Sequence, residues 1–207
     1  MGRPSKTGSQ PNWDALHETA SAQAGCFSVD QAHAVGIGDG LLSYHVKAGN
    51  LTRPGRGLFR LKLFPADPLE EYVLSWLWSG RQGVFSHETA LQLHELSDAL
   101  PARHHLSVPL AAWRGRRVRP PPLVLLHLQD VPARQRDWKG PVPLTNVLRT
   151  LLDCHEAGDI DFVRQAERQA VARGLIARGE FVRALRQKTQ ASSLMSSMTA
   201  HAKETRP

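Results

Sequence analysis

Apolar residues in this chain recur either at helical spacing or in short alternating runs, and the switches between the two mark the elements. Trp13 to about Gln23 has helical spacing, with Asn12 or Pro11 at its start and Gly25 as its stop. Ser28 followed by Gln31 is a reciprocal cap that satisfies two orphan amides, and it opens a short helix ending at Gly36. Gly36, Ile37 and Gly38 make a tight turn, after which Asp39 is placed to cap a third helix over about Gly40 to Ala48. On that helix Leu42 and Val46 face inward at a spacing of four, Ser43, Tyr44 and Lys47 face out, and Gly49 closes it. Leu51 to Arg53 and Leu58 to Leu61 then alternate around Pro54, Gly55, Arg56 and Gly57, which reads as a hairpin. Three helices followed by a hairpin form a winged helix-turn-helix, whose third helix enters the major groove.

A new unit starts at Asp67, where an N-cap, a proline that needs no amide and Glu70 three residues past the cap coincide. Leu69, Tyr72, Val73, Trp76 and Leu77 follow as one helical stripe. Ser86 caps a helix over His87 to Leu96, and Leu106 to Val108, Leu123 to Leu128 and Val142 to Leu144 read as strands. Helices resume at Thr145 or Asn146, with Val147, Leu148, Leu151 and Leu152 on one face, and again over Asp161 to Arg173 and Gly179 to Gln187. The pattern predicts an α+β protein: a basic arm over 1–11, a winged helix-turn-helix over 12–64, a mixed α/β domain over 67–187 and a polar tail over 188–207. Neither end carries hydrophobic periodicity, so neither repays its ordering entropy.

Charge sharpens this picture. Between Asp39 and Asp67 there is no acidic residue, while Lys47, Arg53, Arg56, Arg60 and Lys62 fall on the third helix and the hairpin. A duplex phosphate backbone attracts such a one-sign stretch, because each neutralised phosphate releases condensed counterions. Ser43, Tyr44 and Lys47 are the candidate groove contacts and Arg53, Arg56 and Arg60 the candidate wing contacts, with a core role for Tyr44 as the alternative. The whole chain has a formal charge of +7 and a pI near 10.0, which suits a polyanion partner or simple solubility and says nothing about fold. A second basic run, Arg114, Arg116, Arg117 and Arg119, reads as a solvated or partner-facing loop, and Arg3 with Lys6 in the arm as a solubilising terminus or a minor-groove contact.

Catalytic chemistry finds little support. Cys26 and Cys154 are too far apart in sequence for a metal or redox motif and read as buried thiols of a reducing cytosol. His87, Glu88 and His94 share a helix, but the residue four after His87 is Leu91, so the two-histidine spacing of a zinc hydrolase is missing. Arg149 and Asp153, four apart, form an intrahelical bridge. No catalytic residue, cofactor or metal is expected. The amino terminus has no apolar core for a signal peptide, and the apolar runs are far short of the roughly 20 residues a bilayer needs, so a cytoplasmic protein without membrane contact is expected.

The string FSVDQAHAVGIGDGLLSYHVKAGNLTRPGRGLFRL (Phe27 to Leu61) resembles the amino-terminal winged helix of the AbiEi antitoxins. SHETALQLHELSDALP (Ser86 to Pro101), HHLSVP (His104 to Pro109) and PLTNVLRTLLDC (Pro143 to Cys154) resemble that family's second domain in the same order. The resemblance implies a non-enzymatic regulator of type IV toxin-antitoxin, or abortive-infection, systems that binds repeats in its own promoter and represses it. Its second domain would counter a nucleotidyltransferase-like toxin, with direct contact left open. Some relatives carry an endonuclease-like end, which is not implied for this chain. Two alternatives stand beside it: a stand-alone winged-helix regulator without a toxin, and an antitoxin acting chiefly through protein contacts. A neighbouring toxin gene separates the first of these from the antitoxin readings.

Overall fold

The computed structural model describes residues 10–114 and 119–190. The arm's Arg3 and Lys6, the loop's Arg116 and Arg117 and the tail beyond Gln190 lie outside the described residues. The protein is α+β, and the chain divides into two compact units: Met1–Val84 with Leu106–Asp130 and Trp138–Pro143, and Phe85–His105 with Val131–Asp137 and Leu144–Pro207.

The first unit opens with α1 (Trp13–Ser21), β1 (Cys26–Ser28), α2 (Val29–Ala34), α3 (Asp39–Lys47), β2 (Leu51–Gly55) and β3 (Leu58–Leu61). Asn12 caps α1 by accepting from the Ala15 amide at 3.0 Å. The cap on α2 is reciprocal: the Gln31 amide donates to Ser28 Oγ at 3.3 Å, and the Ser28 amide donates to Gln31 Oε1 at 2.9 Å. The helix α3 starts one residue earlier than its sequence suggests, with Gly38 as N-cap and Asp39 inside the first turn. Gly49 then ends it at φ +77, where a side chain would be strained.

The strand β1 is absent from the sequence reading, which treats those residues only as a cap. It pairs antiparallel with β3, and β3 with β2, giving the order β1-β3-β2. Phe27 and Phe59 lie opposite each other in that register, and their rings stack at 5.6 Å. With Leu16, Ala20, Ile37 and Leu42 they form the core that the helices cover. The next helix, α4 (Glu70–Trp78), packs on β1 and β3, so the chain after Asp67 remains in the first unit. Asp67 does cap the turn leading into α4, accepting from the Leu69 amide at 2.8 Å.

Beyond α4 follow β4 (Val84–Phe85), α5 (His87–His94), β5 (His104–Val108), α6 (Leu110–Trp113), β6 (Val124–Leu128), a 3-10 turn, β7 (Arg136–Lys139), β8 (Val142–Thr145), α7 (Val147–Ala157), α8 (Ile160–Ala172) and α9 (180–190). The five strands form a sheet in the order β6-β5-β4-β8-β7, with β4 and β8 parallel and Phe85 opposite Leu144. In the second unit, Leu91 of α5, Leu151 and Cys154 of α7, Val163 and Ala166 of α8 and Phe181 of α9 make one buried cluster. Asn146 caps α7 by accepting from the Arg149 amide at 2.9 Å. No helix among the described residues is long and apolar enough to cross a membrane.

Candidate nucleic-acid interface

The inward face of α3 is set by Leu42, which is buried, and Val46, which packs on the same core. Because helical residues one apart project about 100° from each other, burying these two turns Ser43, Tyr44 and Lys47 outward, and all three are exposed. Tyr44 is 62% exposed and makes no core contact beyond an edge-on approach of its ring to His45 at 5.2 Å. Its phenol is therefore presented to solvent.

The hairpin departs from a regular ladder where its arginines begin. Thr52 pairs with Arg60 but Gly55 pairs with Leu58, so β2 carries an extra residue between Thr52 and Gly55. Pro54 has no amide to give the ladder, which is why the irregularity falls there. The bulge breaks the alternation of sides, and Thr52, Arg53 and Pro54 are all exposed in a row. The Arg53 guanidinium stands 5.8 Å over the Phe59 ring, and Arg56 is exposed at the turn.

These residues frame a cavity of about 400 Å³ between α3 and the hairpin, with Ser43 and Lys47 on one side, Arg53 on the other, and Leu42, Val46 and Phe59 at its base. Asp39, the only acid among the described residues that line it, has Oδ1 3.0 Å from His33 Nε2. Four of the six residues singled out from the sequence therefore converge here or beside it as exposed side chains: Ser43, Tyr44, Lys47 and Arg53, with Arg56 at the turn beyond.

Arg60 is placed differently from the other five. Its guanidinium turns back into the protein, donating to the carbonyls of Leu61 and Phe64 at 3.0 Å and of Pro65 at 3.1 Å. Its Nε also lies 2.9 Å from Glu70 Oε2 of α4, an ion pair whose geometry does not make a hydrogen bond. The alternation along β3 does not reveal this: nothing in the local pattern marks that an acid ten positions on would meet this arginine.

The two buried thiols are poor reagents. Burial, reinforced by the Glu70 carboxylate, pushes the Cys26 thiol up to about 12, which leaves it protonated and unreactive near neutrality. Burial likewise raises Cys154 and lowers His105, the latter with help from Arg103. His94 Nε2 lies 2.8 Å from the Thr145 carbonyl and His87 Nδ1 2.9 Å from Ser86 Oγ, so the two histidines of α5 face different partners. Arg149 Nε donates to Asp153 Oδ1 at 2.7 Å, as the i,i+4 spacing predicts.

Residues 14–62, the helices and hairpin that frame the cavity, match the family model described as transcriptional regulator, AbiEi antitoxin. Over those residues the chain is similar to AbiEi-type regulators. The AbiEi match takes in all six of the residues named above, Arg60 included. No curated protein matches the chain. Among solved structures, the RV2827C protein from Mycobacterium tuberculosis is similar at 13% identity and a TM-score of 0.43, over 80% of this chain and 74% of that one. That likeness is too distant to carry fold or function.

Proposed function

We propose that residues 12–64 form a winged helix-turn-helix that binds duplex DNA in the chain's own promoter, and that the protein is a non-enzymatic antitoxin and autorepressor of a type IV toxin-antitoxin system. The observation that carries the reading is the exposed basic and polar set on α3 and the hairpin, framing a cavity inside an AbiEi-type domain. In this reading α3 lies in the major groove with Ser43, Tyr44 and Lys47 toward the bases and phosphates, while Arg53 and Arg56 of the wing hold the backbone beside it. Arg60 drops out of the contact set because its donors are committed internally.

The remainder of the chain is the antitoxin part, opposing a nucleotidyltransferase-like toxin by contact or by another route. The test is fluorescence anisotropy of the full chain on its own upstream DNA across a salt series. With Lys47, Arg53 and Arg56 on phosphates, log K should fall with log salt at a slope of about −3 per protomer. Binding that ignores salt, or that is unchanged when Arg53 and Arg56 are both replaced by Ala, overturns the reading.

A further inference from the structure

On the other side of the hairpin from the α3 cavity the first unit holds a second cavity, of about 430 Å³, that the DNA reading does not use. Its size falls within the ~300–1,000 Å³ of small-molecule sites. Leu74 and Trp78 of α4 form one wall, Pro54 and Leu58 of the hairpin another, and Pro121 and Leu123 a third. The lining is mainly apolar. The Trp78 ring makes a tilted contact with Trp113, centroids 5.4 Å apart, which restrains it.

Three charged residues also line the cavity: Arg56, Arg119 and Glu71. Among the described residues neither arginine has a hydrogen-bond or ion-pair partner, so each can turn its guanidinium to a bound anion. Leu123, 54% exposed, leaves an apolar side chain at the wall with no other element covering it. Apolar walls, a fixed indole and a net excess of guanidinium call for an apolar organic anion, flat enough to lie against Trp78 and carrying one carboxylate or sulfonate.

We propose that this cavity is an effector site for a small, flat aromatic anion, and that its occupant competes with DNA for Arg56. The competing half rests on the DNA reading above; the binding half does not. An anion in the cavity draws Arg56 inward and away from phosphate. Linkage then requires that DNA weaken the anion's binding by the same factor as the anion weakens DNA's.

The probe is anilinonaphthalene sulfonate, an aromatic anion whose emission rises in apolar surroundings, titrated into the full chain without DNA. One saturable site is expected, with emission sensitised by tryptophan. The uncharged analogue phenylnaphthylamine should bind about tenfold more weakly. Arg119→Ala should weaken the sulfonate about tenfold, and Leu123→Glu, which sets a carboxylate at an exposed wall position, should abolish its binding. No saturable site, equal binding of the neutral analogue, or binding untouched by both variants overturns the effector site, whatever the protein does with DNA.

In the second arm, saturating sulfonate should lower affinity for upstream DNA several-fold in the native chain and leave it unaltered in Leu123→Glu. DNA binding indifferent to a bound sulfonate overturns the competition while sparing the site. Absence of DNA binding without any sulfonate instead indicts the DNA reading alone.

Discussion

Two arginines four residues apart, Arg56 and Arg60, differ in everything except charge. Arg56 is exposed with no partner among the described residues, whereas Arg60 donates to three carbonyls and pairs with Glu70. Replacing Arg56 by Ala should weaken DNA binding for all sequences alike and reduce the salt slope by about one, with the urea midpoint unmoved. Arg60→Ala should do the reverse, because it leaves three carbonyls without their donor and the Glu70 carboxylate without its counter-charge. Breaking a buried pair costs about 3–5 kcal/mol, and since Glu70 is 28% exposed the loss here should be nearer 2 kcal/mol, read by urea denaturation. A second buried ion pair yields a pH signature. Asp153 is 1% exposed, and burial raises its pKa despite the opposing pull of the Arg149 guanidinium. Arg149→Met removes that pull and should lift the Asp153 pKa further. The folded state then holds a proton that the unfolded state gives up, so stability is lost as pH rises from the ordinary aspartate value through the raised one. The variant should therefore lose several kcal/mol near neutral pH and less near pH 5, measured as paired urea midpoints.

The longest helices were the most legible elements. The faces of α7 and α8 follow the 3.6-residue period, Asn146 caps where a polar side chain precedes an apolar stripe, and each end of α8 lies one residue from expectation. The Ser28 and Gln31 cap was readable for the same reason, since both partners lie within one turn. Three short strands, β1, β4 and β7, were not, whereas β2, β3, β5, β6 and β8 fall on the expected runs. The three residues of β1 and the two of β4 have no period of their own and exist through their neighbours, and β7 is a polar run, Arg136 to Lys139, that pairs by backbone alone. At the candidate interface the outward set on α3 was legible from periodicity. The bulge at Pro54 and the inward turn of Arg60 were not: a proline marks a break in pairing without fixing the register around it, and the partners of Arg60 lie beyond its own strand. Element geometry yields a further test at Gly25, which has φ +78 between α1 and β1, where an added Cβ would stand 2.5 Å from Phe64. Gly25→Ala should cost at least 1–3 kcal/mol from backbone strain alone, and Phe64→Ala in the same chain should recover the part due to the clash, as thermal unfolding would record.

At the scale of the whole molecule the proposed division of labour is testable in one set of variants. Arg53→Ala with Arg56→Ala should abolish promoter repression in a reporter assay yet leave cells expressing the neighbouring toxin protected. Leu151→Pro, in the middle of α7 at a fully buried position, should cost ~3 kcal/mol or more and end protection by unfolding the second unit's helical core. Folded arginine variants that lose both activities together would mean that protection arises from repression itself. The clasp around Arg60 bears on how the proposed DNA-binding part can be cut out. The stretch from Lys62 to Asp67 looks like a spacer in sequence, but carbonyls at 61, 64 and 65 are bound to one guanidinium, and α4 packs on the small sheet. Proteases need several residues of free backbone, so trypsin should spare Lys62 in the native chain while cleaving exposed arginines elsewhere. A gene fragment ending at Ala66 would lack Glu70 and uncover the side of the sheet that α4 shields, including the ground above Cys26. A fragment carried on to Gly80 keeps both, and it is that longer piece which should express as a monodisperse, crystallisable protein.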